Sequence, residues 1–191
     1  MMALILSSMA LAASPADPVA CVLARGGDAA RALMKVVPGS SELSPALDRV
    51  RPVLTACGAA TDGAGLDVLV ADMASHLLRT DYAKYPFRAL PAASLTQVKA
   101  EGLRRETAGW PAADAIGRCV VARDLQGAVK LVRSRKGTRS EGKALDALLP
   151  LVPACVDAGA SLTASRADLR DGIARALYRD VVSKIPDLWP A

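Results

Sequence analysis

The four cysteines, Cys21, Cys57, Cys119 and Cys155, are the residues whose spacing speaks most directly of chemistry, because the same interval of 36 occurs twice. Thiolate metal sites use short C-x-x-C pairs or histidine ligands. The chain offers neither, with His76 its sole imidazole, so no metal is expected. The chemistry expected is oxidation to two structural disulfides. Four cysteines allow three connectivities. Cys21–Cys57 with Cys119–Cys155 is favoured, because the two intervals lie in duplicated sequence and an ancestral single module would have closed its own bridge. Each bridge would remove about 4 kcal/mol of denatured-state entropy from a loop of this length.

Groups for acid–base or nucleophilic work are scarce. His76 has no motif around it to supply a nucleophile or an orienting carboxylate. G-x-S-x-G, H-E-x-x-H, P-loop and G-x-G-x-x-G patterns are all missing from the sequence. A structural histidine is the expected role, and the chain is expected to be neither an enzyme nor a holder of a cofactor. An unrecognised hydrolase is the least favoured alternative. Asp48 and Asp146 recur in the two intervals, as do Arg25 and Arg123. The carboxylates are expected to cap a restarted helix or pair with a nearby arginine. The arginines would complement helix C-termini and could partner those same carboxylates.

Charge supplies the candidate site. The net charge is +5, of which residues 111–191 carry +4. Most of that excess lies in Lys130, Arg133, Arg135, Lys136, Arg139 and Lys143, relieved only by Glu141. Such a cluster between helices can engage phosphates of lipid headgroups, lipopolysaccharide or nucleic acid. Nucleic acid is disfavoured, since no aromatic residues interleave the cations for base stacking.

These residues belong to a module written twice. At an offset of 98, residues 21–57 and 119–155 share 13 of 37 positions, including both cysteines, Gly39/Gly137, Leu47/Leu145, Asp48/Asp146 and Pro52/Pro150. Hydrophobic content of 52% with only 3% aromatic residues calls for a core of Ala, Leu and Val, which suits closely packed helices. In the first copy Asp17-Pro18 opens a helix carrying Cys21 and ending near Gly26-Gly27, and Asp28 to Val37 forms a second. A third runs from Ser44 to about Cys57, with a kink or break expected at Pro52 and likewise at Pro150. A fourth carries Leu69, Met73 and Leu77, matched by Leu169, Ile173 and Leu177 behind the capping-box-like Ser165-Arg166-Ala167-Asp168. Ser94 to about Glu106 reads as a helix between the copies, either a linker or a fifth helix bridging two cores. Trp110 and Trp189 are expected to pack the linker and the C-terminus onto the bundle.

The organisation expected is therefore all-α: two tandem four-helix-type repeats, each stapled by one disulfide and joined by a linker containing one helix. Residues 1–12 read as a signal peptide, with an apolar run and Ala10-Leu11-Ala12 as the small-x-small site. Repeat 1 spans 13–86, the linker 87–114 and repeat 2 115–191. No segment after the leader reads as a membrane span. Leader and paired cysteines agree on an oxidising compartment, periplasmic or secreted.

The second copy, through Cys119-Val120-Val121, Leu145-Asp146-Ala147-Leu148, Ala154-Cys155 and the run from Leu169 to Arg179, resembles a group of secreted alphaproteobacterial proteins of unknown function. They are similar in a cysteine-bounded helical module followed by an L-R-x-x-x-A-x-A-L-Y-R-like helix. The resemblance covers nearly the whole mature chain; the first copy keeps only part of the final helix pattern. It implies a fold and a compartment, and no catalytic residues carry over. Function is expected to be binding, to an envelope component or a protein partner, through the basic stretch 130–143. A carrier of a small apolar ligand or lipid between the helices is the alternative.

Overall fold

A computed structural model describes residues 17–89, 100–156 and 164–180, with residues 182 and 185. Among these, every regular element is helical. The expected leader, Ser94–Gln97 and Trp189 lie outside the described residues. The first copy comprises α1 (Pro18–Lys35), α2 (Leu43–Ala56) and α3 (Gly63–Arg79), followed by a short 3-10 turn at Phe87–Ala89. After α4 (Ala100–Glu106), the second copy comprises α5 (Ala112–Arg123), α6 (Leu125–Arg133), α7 (Arg139–Leu148), the 3-10 helix Leu149–Cys155, and α8 (Arg166–Asp180).

Local signals place most of these ends. Asp17 accepts the Val19 amide at 3.0 Å, and Pro18 occupies the first helical position, so α1 starts where a capped N-terminus requires. Gly27, at φ +46°, turns α1 into two limbs without a break in the chain of turns. The left-handed backbone there explains why a glycine stands at the bend. In the second copy the same junction is a true helix boundary: Asp124 ends α5 and caps α6, accepting the Gly127 amide at 2.8 Å. Ser165 and Asp168 form the reciprocal capping pair that opens α8, at 3.2 and 2.8 Å.

A break at the paired prolines occurs in one copy only. α2 runs through Pro52 to Ala56, whereas α7 stops at Leu148 and Pro150 enters a 3-10 helix. The second copy has a further proline, Pro153, where the first has Thr55. One missing amide is tolerated on an exposed helix face; two within one turn remove enough hydrogen bonds to change the helix type.

Both expected disulfides are present, Cys21–Cys57 and Cys119–Cys155, with Cα–Cα distances of 5.8 and 5.7 Å. Each ties the first limb of its copy to the end of the cysteine-bearing third element. The two copies nonetheless share one hydrophobic core, a continuous cluster running from Val22 to Ile185. Its seam is α3 against α8, the equivalent helices of the two copies. Each also reaches the other copy's first pair, α8 meeting α1 and α3 meeting α6, so the copies grip one another reciprocally. Met73, Leu77, Ile173 and Leu177 are at most 2% exposed on these helices. Full burial of side chains of this size contributes about 1.5–3 kcal/mol each. The helix between the copies lies on the second of them, with Leu103 against Cys119, Ala122 and Cys155.

α8 is the central helix, and this departs from a simple amphipathic reading: Leu169 through Arg179 are all buried. It packs most extensively on α5. A Cβ added at Gly172 would strike the backbone carbonyl of Ala113, and one at Gly117 would strike the backbone of Gly172. Two facing glycines thus set the approach of the helices. The first copy has Val19 and Asp72 at the equivalent places.

The charges that α8 buries are paired. Arg175 meets Asp114 through two hydrogen bonds of 2.9 and 2.7 Å and donates to the Asp67 carbonyl at 2.9 Å. Arg170 bonds Glu141 and Asp171, each at 3.0 Å. Arg118 lies 3.3 Å from both Glu106 and Asp180. Burial pushes the Asp67 carboxyl up, an effect that the nearby Arg175 opposes.

Candidate functional site, the basic hairpin of the second copy

The six cations singled out by charge lie on the hairpin formed by α6, the turn 134–138 and α7, and the structure divides them into two groups. Arg133 and Lys136 are engaged internally. The Arg133 guanidinium donates through Nη2 to the carbonyls of Tyr82, Ala83 and Tyr85 at 2.6, 3.0 and 3.4 Å. It also lies 5.0 Å from the centre of the Phe87 ring. This fastens the segment that follows α3 onto the second copy. Lys136 bridges Asp72 of the first copy and Asp171 of the second, each at 3.2 Å. Both residues therefore hold the copies together, a role that the sequence pattern does not distinguish from surface charge.

Lys130, Arg135, Arg139 and Lys143 are exposed. Among the described residues, no carboxylate lies within ion-pair distance of any of them. Arg139 and Lys143 are one turn apart on α7 and so share its outer face. The local acids are already committed. Glu141 bonds Arg170 and accepts the Gly137 amide at 2.6 Å, and Asp146 pairs with Arg166 at 2.7 Å.

Two further cations join this surface from outside the second copy, Arg79 from the first copy and Arg88 from the segment that follows it, and sequence reasoning missed them. Arg79, at the end of α3, lies near Arg135: partial burial, with the like charges of Arg170 and Arg135, holds its guanidinium below the usual value. Arg88 shares with Lys130 and Arg133 an open cleft of about 820 Å³ between the segment 85–88 and α6. Neither lies near the hairpin in sequence, so only the docking of the copies could reveal the neighbourhood.

The remaining candidates are structural. Asp48 pairs with Arg51 at 3.1 Å, and Asp146 with Arg166, so the carboxylate–arginine expectation holds with neighbours other than Arg25 and Arg123. Arg123 instead donates to Cys119 Sγ and to the Ala154 carbonyl, each at 3.4 Å. His76 is half-buried on α3, its carbonyl accepting from the Thr80 amide and hydroxyl. Trp110 lies beneath Arg179, 4.5 Å from guanidinium carbon to ring centre. No described helix is long and apolar enough to cross a membrane, and no described cluster of His, Cys, Asp and Glu could hold a metal ion. Comparison with family models, with curated proteins and with solved structures brings no match to this chain.

Proposed function

We propose that the protein is a non-catalytic, exported binding protein that engages an anionic component of the cell envelope through the exposed cations of the α6–α7 hairpin. The observation that carries this reading is that Lys130, Arg135, Arg139 and Lys143 project without carboxylate partners among the described residues, while nearly every described acid around them is held by another residue. Unpaired cations gathered on one hairpin attract phosphate-rich surfaces at long range, with a strength that falls as salt screens them. The two disulfides suit an oxidising compartment. The resemblance to secreted helical proteins and the apolar leader Met1–Ala12 point the same way.

The alternative of an apolar-ligand carrier has less support. Its ligand would lie between the copies, where α3 meets α8 and where Met73, Leu77, Ile173 and Leu177 already fill the space.

The test uses purified protein with phosphatidylglycerol and phosphatidylcholine vesicles. Wild type is expected to sediment with the anionic vesicles only, and to be released as salt rises. Lys130→Gln, Arg135→Gln, Arg139→Gln and Lys143→Gln combined should abolish sedimentation while leaving the fold intact, because the four side chains make no hydrogen bond or ion pair with the described residues. Unchanged sedimentation with unchanged salt dependence would contradict the proposal.

A further inference from the structure

The duplication places two clefts at equivalent positions. The first-copy cleft, of about 480 Å³, is lined from α1 by Asp28, Arg31, Ala32 and Lys35. The second-copy cleft, of about 820 Å³, is lined from α6 by Gln126, Val129, Lys130 and Arg133, with Gly127 beside them. At the offset of 98 these four positions correspond one to one. Their charges have diverged. In the first copy Arg31 is neutralised by Asp81 at 2.9 Å and Lys35 is balanced by Asp28, so the lining is neutral overall. In the second, Arg88, Lys130 and Arg133 face one carboxylate among the described residues, Asp124, which is occupied in capping α6.

Arg133 is the anomaly within that cleft. Among the described arginine side chains that are not exposed, it alone has no carboxylate within ion-pair distance. Its Nε is buried without a hydrogen-bond partner. Burial lowers its pKa, and no neighbouring acid offsets that. A guanidinium half-removed from water, with three neutral carbonyls as its partners, is a cation in search of a counter-ion.

We infer that this cleft binds a phosphate ester, the phosphoryl group lying among Arg88, Lys130 and Arg133 and the esterified group along Tyr85 and Pro86. Three cations against one carboxylate leave a net charge of about +2, which matches a phosphate dianion better than a monocarboxylate. The cleft is larger than a phosphate ion needs, and its aromatic wall gives the attached group an apolar surface. The inference rests on the anionic-partner reading above and names the chemistry recognised at one end of the same surface.

The experiment titrates glycerol 3-phosphate into the full chain by calorimetry, and in parallel measures sedimentation with phosphatidic acid in phosphatidylcholine vesicles. Two variants are compared with wild type: Arg88→Ala with Lys130→Ala in the cleft, and Arg135→Gln with Arg139→Gln and Lys143→Gln outside it. Arg133 is left unchanged because it anchors the chain. The expected result is saturable binding at one site, weakened at least ten-fold in the cleft variant and less than three-fold in the other. Loss of both arms in the cleft variant identifies the phosphoryl group itself as the ligand. Loss of only the soluble arm assigns the site to small organic phosphates, and loss of only the vesicle arm assigns it to a lipid headgroup. Equal binding by wild type and cleft variant, or no binding of either probe by wild type, overturns the inference. The broader reading survives that outcome if the non-cleft variant loses anionic vesicles, and fails with it if none of the proteins binds them.

Discussion

Replacing Gly172 with alanine should reverse the usual sign of that substitution. Inside a helix Gly→Ala ordinarily stabilises by about 1 kcal/mol, because alanine has the better propensity. At Gly172, however, the new Cβ would collide with the Ala113 carbonyl oxygen and lie 2.6 Å from its carbon. Those are backbone atoms, so no side-chain rotation relieves the clash, and α5 must move away from α8. Overpacking of this kind costs about 1–3 kcal/mol, and backbone contact places it at the upper end. Set against the propensity gain, the net loss is about 2 kcal/mol. Gly142 on α7 is the control, since a Cβ there meets nothing within 4 Å. Gly142→Ala should stabilise by about 0.5–1 kcal/mol. Urea unfolding followed by far-ultraviolet circular dichroism would measure both. A Gly172→Ala protein as stable as wild type, or more so, would refute the close approach of α5 and α8 and with it the central place of α8.

Other outcomes follow from the same structure. Replacing Cys21 and Cys57 together by alanine should cost about 4 kcal/mol, and calorimetry should still show one unfolding transition, because the copies share a core; two transitions would indicate separate ones. Asp114→Ala leaves Arg175 buried and uncompensated, which should cost about 3–5 kcal/mol, whereas Asp114→Leu with Arg175→Met should lose less than that single change; the reverse order in denaturant titrations would argue against the pair. A hydrogen bond from Arg31, reinforced by one from Thr80, holds the Asp81 carboxyl below the usual range. Its contribution is complete above the unfolded carboxylate value, about pH 4, and is lost as pH falls through the lower folded value. Asp81→Asn should therefore flatten the acid limb of the stability profile below about pH 4, and an unaltered limb would remove Asp81 from the account.

The local grammar of the chain was legible in its sequence. Asp17-Pro18, the bend at Gly27 and the Ser165/Asp168 box are each set by residues within a turn of one another, and the cysteine pairing follows from duplication. What escaped the sequence depends on distant neighbours. Leu169, Ile173 and Leu177 look like the single buried stripe of a surface helix, with Arg170, Asp171, Arg175 and Arg179 on its wet side. In the structure that side is buried too, because Asp114, Glu141 and Lys136 arrive from other elements to pair the charges. The small residues Gly172, Ala174 and Ala176 were the available clue that helices pack on more than one face. A difference between the copies is not by itself a mark of function. Gly117, Gly172, Arg170 and Arg175 are peculiar to the second copy and structural, as are Arg133 and Lys136 within the basic hairpin. Divergence points to function more directly where the divergent residue is exposed and has no ion-pair partner among the described residues, as at Lys130, Arg135, Arg139 and Lys143.

The most direct test of the binding account is charge reversal at those four positions, with release from isolated envelopes read as a function of salt. The account predicts that wild type remains with the envelope fraction at low ionic strength and leaves it as salt rises toward 1 M, where the screening length is about 3 Å. The protein with glutamate at all four positions should stay in the soluble fraction at every ionic strength. If wild type and variant partition alike across the series, the hairpin is not the contact surface.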